Sequence, residues 1–331
     1  REIALLKKAH ILRAGIWKPR TRPGSFEGVG SIGLEWLKKV KTETGLPVAV
    51  EVANVKHVYE AMKNGIDFLW IGARTTVNPF SVQEIADALK GVNVPVLVKN
   101  PVNADLELWM GAIERIQKAG ITKIAAIHRG FSSYGKSQYR NQPMWEIPIE
   151  LKRRMPDIPL ICDPSHICGN RELLWNVSQT AIDLDYDGLM IETHATPSVA
   201  LSDAQQQVTP DELDKILKNI ILRFSSVEDK KFISSLEDFR NRIDELDHSL
   251  ISLLSTRMEI ARSIGEYKKE HGVTILQNKR WSKIVEHRIK QGTQKNLTAD
   301  FIMKIFENIH QESIYHQKQV MQQEMGTAKK M

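Results

Sequence analysis

Seven short runs of Val, Ile and Leu recur along the first two-thirds of the chain, each followed by a longer amphipathic stretch. No other feature constrains the fold as much. The apolar runs are Ile11–Trp17, Pro47–Val52, Ile66–Ile71, Val94–Val98, Thr122–Ile127, Ile158–Cys162 and Gly188–Ile191. Near-continuous apolar runs of this length read as strands buried on both faces, the habit of parallel sheets. Helical patterns lie between them, at Ser31–Lys41, Val55–Asn64, Val82–Lys90, Ala104–Lys118, Arg171–Ile182 and Pro210–Leu222. Repeated βα units with tight Gly, Pro, Asn and Asp joints mean an α/β sheet, open or closed. A closed TIM barrel needs eight strands. Only seven runs are present, and Arg1–His10 reads as the tail of a helix feeding the first of them. The expectation is therefore an α/β TIM barrel whose first strand is absent from the given chain, upstream of Arg1 or lost near Lys8–His10. The alternative is an open doubly wound sheet. The barrel is preferred because unusual residues fall just after strand after strand.

From Ser225 the character changes. There is no Pro from there to the end and no Gly before Gly265. Apolar residues recur at Leu236, Phe239, Ile243, Leu246, Leu250, Leu253, Ile260 and Ile264, spacings of three and four that define one face of a helix of about 40 residues. Such length asks for another helix to pack on, in this chain or a second copy. Two further helices are expected near Asn278–Gln291 and Thr298–Gln323, with a polar, frayed tail at Met325–Met331. The chain thus divides into an α/β domain, 1–224, and an all-α domain, 225–331.

Composition excludes several classes. A net charge of +6 is mild, and its basic residues are scattered without aromatic interleaving, so no nucleic-acid surface is expected. No apolar stretch approaches the roughly 20 residues of a membrane helix. Cys162 and Cys168 occur without a secretion signal, the pattern of a cytoplasmic protein with free thiols.

The ends of the strands carry the chemistry. They read Lys18-Pro19-Arg20-Thr21, Gly72-Ala73-Arg74, Lys99-Asn100, His128-Arg129-Gly130, Asp163-Pro164-Ser165-His166 and Glu192-Thr193-His194, with Leu201-Ser202-Asp203 on the loop beyond. In a barrel these positions converge on one face, where active sites sit. Lys18, Arg20, Arg74, Lys99 and Arg129 make a ring of fixed positive charge suited to phosphorylated or carboxylated substrates. His166, Glu192 and Asp203 are nitrogen and oxygen donors of the kind that hold a divalent transition metal. Any one of these alone is more often a surface ion pair or a core residue. Their recurrence at consecutive strand ends is what argues for a site.

The stretch Leu12 to Thr21, then Ser25-Phe26-Glu27-Gly28, Ile71-Gly72-Ala73-Arg74, Asp163-Pro164-Ser165-His166 and Ala200-Leu201-Ser202-Asp203, resembles the type I 3-deoxy-D-arabino-heptulosonate-7-phosphate (DAHP) synthases, β subgroup, over about 10–223. The resemblance implies a metal-assisted condensation of phosphoenolpyruvate with erythrose 4-phosphate. By it, Arg13, Lys18, Arg74, Lys99 and Arg129 bind phosphoenolpyruvate, with Lys18 also catalytic, and Arg20 and Thr21 hold the phosphate of erythrose 4-phosphate. His166, Glu192 and Asp203 become three ligands of a divalent ion (Mn, Fe, Co or Zn). The family's fourth ligand, a Cys in a Gly-Pro-Cys motif on the first strand, has no counterpart here, and neither Cys162 nor Cys168 stands in its place. Two further departures are His128 for a Glu before Arg-Gly, and Asn100-Pro101 for an Arg-Gly after Lys99.

In the helical region Arg257 takes the slot after Leu253 where the stripe calls for Leu. A buried Arg is costly without an anion, supplied by an internal salt bridge or by a ligand. Lys268 follows eleven residues on, about three turns, on nearly the same face. Arg240 lies seventeen residues before Arg257, roughly 25 Å along the axis, so one straight helix cannot close both on one small ligand. A second copy's Arg240 could, and an antiparallel dimer follows if both bind substrate. Leu236 to Asp244, Leu254-Ser255-Thr256-Arg257, Ile264 to Lys268, Arg280, Ser313 and Gln317 resemble the all-helical chorismate mutases over about 228–320. That resemblance implies chorismate bound by Arg257, the partner's Arg240, Lys268, Arg280, Ser313 and Gln317, with Lys268 and Gln317 steadying charge on the ether oxygen as prephenate forms. Trp281 and Gln277 replace acidic residues that the family places at the hydroxyl region of the substrate.

Three other readings are kept. One is a 3-deoxy-D-manno-octulosonate 8-phosphate synthase, opposed by Lys18-Pro19-Arg20-Thr21 because that family carries Lys-Ala-Asn-Arg there. Another is a metal-free barrel scaffolding an active mutase, and a plain helical dimerisation module is the third. Fusion of an early and a late step also leads to an expectation of feedback, with prephenate or chorismate inhibiting the condensation.

Overall fold

Period-two alternation decides what each strand shows to either side. The computed structural model describes residues 2–21, 23–135, 137–223, 228–276 and 278–322, apart from the side chains of 278–280. Seven parallel strands pair strictly in sequence order: β1 (Leu12–Ala14), β2 (Val48–Val52), β3 (Phe68–Ile71), β4 (Val96–Lys99), β5 (Ile124–His128), β6 (Leu160–Cys162) and β7 (Gly188–Leu189). The strands are shorter than the apolar runs that announced them. The first run stops pairing at Ala14, and its Ile16 and Trp17 are buried in the turn that follows.

One set of alternate residues, including Val50, Leu69, Val96, Val98, Ala126 and Leu160, packs in the larger core together with helix residues such as Ile85, Trp109 and Ile113. The other set, Ala49, Trp70, Leu97 and Ile127 with Ala125, Ile161 and Met190, packs together on the opposite, inner face. The register Ala49↔Phe68, Trp70↔Leu97 and Leu97↔Ala125 carries this inner layer across the sheet. The sheet is curled and does not close. β1 pairs only with β2 and β7 only with β6. A cavity of about 590 Å³ is lined by Leu12 and Arg13 on one side and by Leu189, Met190 and Ile191 on the other. This is the expected barrel without its first strand: a seven-stranded arc in which, among the described residues, no strand lies between β1 and β7 to carry the hydrogen bonds from one edge to the other.

His128 shows the same rule at work. It follows Ile127 by one residue, so it points to the outer core, fully buried, and not to the mouth that its neighbour Arg129 faces. Its Nε2–H donates to the Pro143 carbonyl at 2.7 Å, which leaves Nδ1 to accept the Tyr186 hydroxyl at 2.9 Å. Trp145 meets the ring edge-on at 5.2 Å. Burial, with repulsion from Arg129, pulls its pKa down to about 3. The unfolded chain therefore takes up a proton near pH 6.5 that the folded chain refuses, so stability is present above that pH and falls as pH drops towards 3. The slope is at most about 1.4 kcal/mol per pH unit. His128→Gln is expected to flatten urea-melt stability between pH 6.5 and 4; an unchanged slope would remove this residue as the cause.

The chain splits into compact units at residues 225 and 226. In the second, the helix Lys230–Glu270 runs 41 residues, followed by Asn278–Thr293 and Ala299–Gln322. Within the single chain the last helix packs beside the expected stripe and not on it. The long helix buries Met258, Ala261 and Gly265 against the last helix, and a Cβ on Gly265 would come within 3.1 Å of the Gln317 Cα. The apolar stripe itself stays exposed, with Leu246 and Leu253 each at 69%. A stripe of this length left open to water is the mark of an interaction surface.

Candidate functional site

Strand alternation delivers Arg13, Glu51, Lys99, Asp163 and Glu192 to the inner face at the carboxyl ends of β1, β2, β4, β6 and β7. Lys99 Nζ meets Asp163 Oδ2 at 2.7 Å, with both side chains buried. Asp163 also caps the short helix Pro164–Cys168, accepting from the His166 amide at 3.1 Å and lying 3.0 Å from His166 Nδ1. Burial pushes this carboxyl up, but His166, Lys99 and Arg13 hold it well below the usual carboxylate range. Arg13 Nη2 donates to Glu192 Oε1 at 2.6 Å, and Gln206 Nε2 donates to Glu192 Oε2 at 2.6 Å. Against its burial, His166 and Arg13 bring Glu192 down to about 2. A Cβ on Gly72 would sit 1.9 Å from Glu51 Oε1, so any other residue there would push the Glu51 carboxylate out of its place.

Asp203, in the left-handed region at φ 54°, is the second anionic hub. Lys18 Nζ reaches it at 3.3 Å while donating to Ser202 Oγ at 2.6 Å. Arg20 stands 3.5 Å away, and Arg140 Nη1 donates to Asp203 at 3.0 Å and to Gln206 at 2.8 Å. Arg74 and Arg129 differ from the other mouth cations: among the described residues neither has a carboxylate within ion-pairing distance. Arg74 donates to Thr21 Oγ1 through Nε and Nη2, at 3.0 and 2.9 Å, so the side chains assigned to the two phosphorylated substrates touch here. Arg129, 6% exposed, donates to Asn141 Oδ1 at 2.8 Å, and its amide donates to Asn100 Oδ1 at 2.7 Å. Burial brings Arg129 down to about 10, with Arg140 and Arg74 repelling it, and burial with Arg20 lowers Arg74. A buried cation crowded by cations favours an incoming anion.

His166, Glu192 and Asp203, expected to share one ion, are each drawn to a separate partner in this structure. Among the described residues, no three His, Cys, Asp or Glu side chains stand together closely enough to hold a metal. The reason is local pairing: His166 turns to Asp163, Glu192 to Arg13 and Gln206, and Asp203 to Lys18, Arg20 and Arg140. Cys162 and Cys168 lie in the core, where burial pushes Cys168 up to about 12 and Cys162 well above the ordinary thiol value, so neither offers a thiolate. As they stand, these residues do not fit a divalent ion.

In the helical unit Arg257 Nη1 donates to Ser313 Oγ at 2.5 Å, and the Ser313 hydroxyl donates in turn to the Ile309 carbonyl at 2.7 Å. Lys268 Nζ donates to the Ile275 carbonyl at 2.6 Å. Gln317 is buried, and its Oε1 has no hydrogen-bond partner among the described residues. Arg257 is exposed in the single chain, not buried as its place on the stripe implied, because the stripe has no cover. Arg240 is exposed and pairs with Glu237 one turn away at 3.2 Å. Gln277 and the Arg280 side chain lie outside the described residues.

Sequence reasoning missed Glu51, Arg140, Asn141 and Gln206, and gave Asp163 no role. Strand parity could have found Glu51 and Asp163, two residues beyond the inward Ala49 and Ile161. Arg140, Asn141 and Gln206 lie on loops and carry no periodic signal.

With this geometry in view, residues 3–225 match the model of the DAHP synthetase I family, and residues 239–318 that of chorismate mutase type II. A phospho-2-dehydro-3-deoxyheptonate aldolase of Thermotoga maritima is 33% identical over 60% of this chain and 56% of its own length. A 2-dehydro-3-deoxyphosphooctonate aldolase of Geobacter sulfurreducens is 28% identical over 66% of this chain and 79% of its own. A crystal structure of the Thermotoga maritima phospho-2-dehydro-3-deoxyheptonate aldolase (DAHP synthase) superposes with a TM-score of 0.58 at 28% identity, covering 71% of this chain and 64% of that one. The chain therefore spans less than two-thirds of the length of the first of these relatives. Among the described residues, no helix is long and apolar enough to cross a membrane.

Proposed function

The chain belongs to the DAHP synthetase I family, and we propose that its α/β unit condenses phosphoenolpyruvate with erythrose 4-phosphate while its helical unit converts chorismate to prephenate. One observation carries the first half: among the described residues Arg74 and Arg129 have no carboxylate within ion-pairing distance, while Asp163, Glu192 and Asp203 are engaged by other cations. Phosphoenolpyruvate brings both a phosphate and a carboxylate to such a pair, and a planar guanidinium suits either. Arg13, Lys18 and Lys99 add charge around it, and Arg20 with Thr21 receives the sugar phosphate. Lys18 Nζ, held by Ser202 and Asp203, is the group assigned to protonate the aldehyde oxygen as the enol carbon attacks. Water then adds at the adjacent carbon that bears the phosphate, loses a proton, and the tetrahedral centre expels phosphate to leave a ketone. The protein contributes position and a preorganised field, which keeps two phosphorylated substrates from repelling each other.

The deciding experiment supplies phosphoenolpyruvate with either erythrose 4-phosphate or arabinose 5-phosphate and follows phosphate release. Release with the four-carbon sugar supports the reading; release only with arabinose 5-phosphate shifts it to the octulosonate reaction, and no release with either leaves the α/β unit as a scaffold. Arg74→Ala is expected to raise the KM for phosphoenolpyruvate at least about tenfold with a smaller change in kcat, the loss typical of a hydrogen bond to a charged group. An unchanged KM refutes its role.

For the helical unit, Arg257 and Lys268 supply positive charge beside the buried carbonyl of Gln317. A pericyclic rearrangement needs no nucleophile, only such a cage. The exposed stripe through Leu246 and Leu253 supports an antiparallel homodimer that brings a second Arg240 to each site. Prephenate or chorismate, added to the condensation assay, tests feedback between the two activities. Free thiols and small phosphorylated substrates fit a cytoplasmic enzyme.

A further inference from the structure

His310, Ser313 and Gln317 fall at i, i+3 and i+7 on the helix Ala299–Gln322, so one face carries all three. Ser313 bonds Arg257, and Gln317 backs onto Gly265, which turns that face to the Arg257–Lys268 stretch of the long helix. Two polar atoms on it are buried without a hydrogen-bond partner among the described residues, His310 Nε2 and Gln317 Oε1. Buried polar groups are rarely left unpaired, and an unpaired one in a pocket points to a ligand that completes it. The site resemblance accounts for Gln317. Nothing so far accounts for His310.

The His310 ring is held. It stacks on Trp281 with centroids 4.0 Å apart and planes 10° from parallel, so the plane in which Nε2 can bond is fixed from the neighbouring helix Asn278–Thr293. Burial lowers its pKa, and Arg257 and Lys268 add to the effect, so the imidazole is neutral at neutral pH and near both cations. A neutral ring nitrogen is a poor rival to Arg257 and Lys268 for carboxylates. It is well suited to a hydroxyl, to which it can donate or from which it can accept.

We propose that His310, held flat against Trp281, contacts substrate in the helical site, its Nε2 hydrogen-bonding the ring hydroxyl of chorismate while the cations take the carboxylates. The inference rests on the chorismate reading of that site and adds a residue to it. Trp281 then serves as the positioning partner of His310, so the pair supplies a hydrogen bond at a place where no acidic side chain is available.

The test compares wild type, His310→Phe and His310→Gln on chorismate and on an analogue lacking the ring hydroxyl. Phe keeps the stack and loses the hydrogen bond; Gln keeps a polar end. Expected for His310→Phe is about a tenfold rise in KM for chorismate with helicity and melting temperature preserved, and no further loss on the deoxy analogue. His310→Gln should stay within about threefold of wild type on chorismate. The inference is overturned if His310→Phe handles chorismate as wild type does, or if it loses equally on both compounds. Should His310→Phe not fold, His310→Gln decides, and a tenfold loss there overturns the inference too. Wild type that converts chorismate while the variants behave as wild type sinks only this inference; wild type that does not convert it sinks the mutase reading as well.

Discussion

Truncating Arg257 to Ala is expected to cut chorismate turnover by about a hundred- to a thousandfold, the usual cost of removing a preorganised donor at developing charge. Stability should barely change, because Arg257 is exposed in the single chain and its hydrogen bond among the described residues is to the Ser313 hydroxyl alone. Burial and Arg288 together lower its pKa, so removing it relieves repulsion. The loss therefore belongs to substrate and not to folding. Mixing Arg257→Ala chains with Arg240→Ala chains adds a sharper readout. If each site takes Arg257 from one copy and Arg240 from the other, the mixed dimers hold one intact site each, and about a quarter of wild-type activity returns. Two inactive variants that remain inactive after mixing and re-equilibration would rule out sharing between copies. Sites built within one chain would give that result, and the 17-residue separation along the helix Lys230–Glu270 argues against them.

Lys99→Met has the largest expected effect on the α/β unit, and it strikes both stability and activity. Lys99 is 5% exposed, and its ammonium lies 2.7 Å from a carboxylate that is fully buried. Removing one partner leaves Asp163 charged in the core with His166 paired to it and only the more distant field of Arg13 and Arg129 in addition. Breaking a buried pair in this way costs about 3–5 kcal/mol, a drop in melting temperature on the order of 10 °C for a unit of this size. Condensation should fall below detection even at temperatures where the variant is folded, since Lys99 belongs to the cation ring. The double variant Lys99→Met with Asp163→Asn separates the two effects. It removes both charges, so most of the stability should return while activity should not. Recovery of activity in the double variant would mean that Lys99 only balances Asp163 and does not bind substrate.

Residue pattern and tertiary placement divided the work unevenly in this protein. The chain order of strands, the helical second unit and the positions after each strand that carry cations are all local matters. They follow from a period of two in a strand and of 3.6 in a helix, which a sequence displays directly. Parity along β4 alone brings Lys99 to the same face as Leu97, and along β2 it brings Glu51 to the face of Ala49. Pairing between those residues is not local. Arg13 finds Glu192 across 179 positions and Lys18 finds Ser202 across 184, and Arg140 reaches Asp203 from a loop with no repeat to read. Only the folded sheet sets those distances, and with them whether a carboxylate neutralises an arginine or is free to bind a metal. The exposed stripe is a parallel case. Its spacing was plain in Leu246, Leu250 and Leu253, but spacing cannot say which face the last helix covers. Packing chose Met258, Ala261 and Gly265 because the small residues let the backbones approach, and left the larger side chains in water. Trp281 and His310, 29 positions apart on different helices, became a stacked pair only once those helices had met.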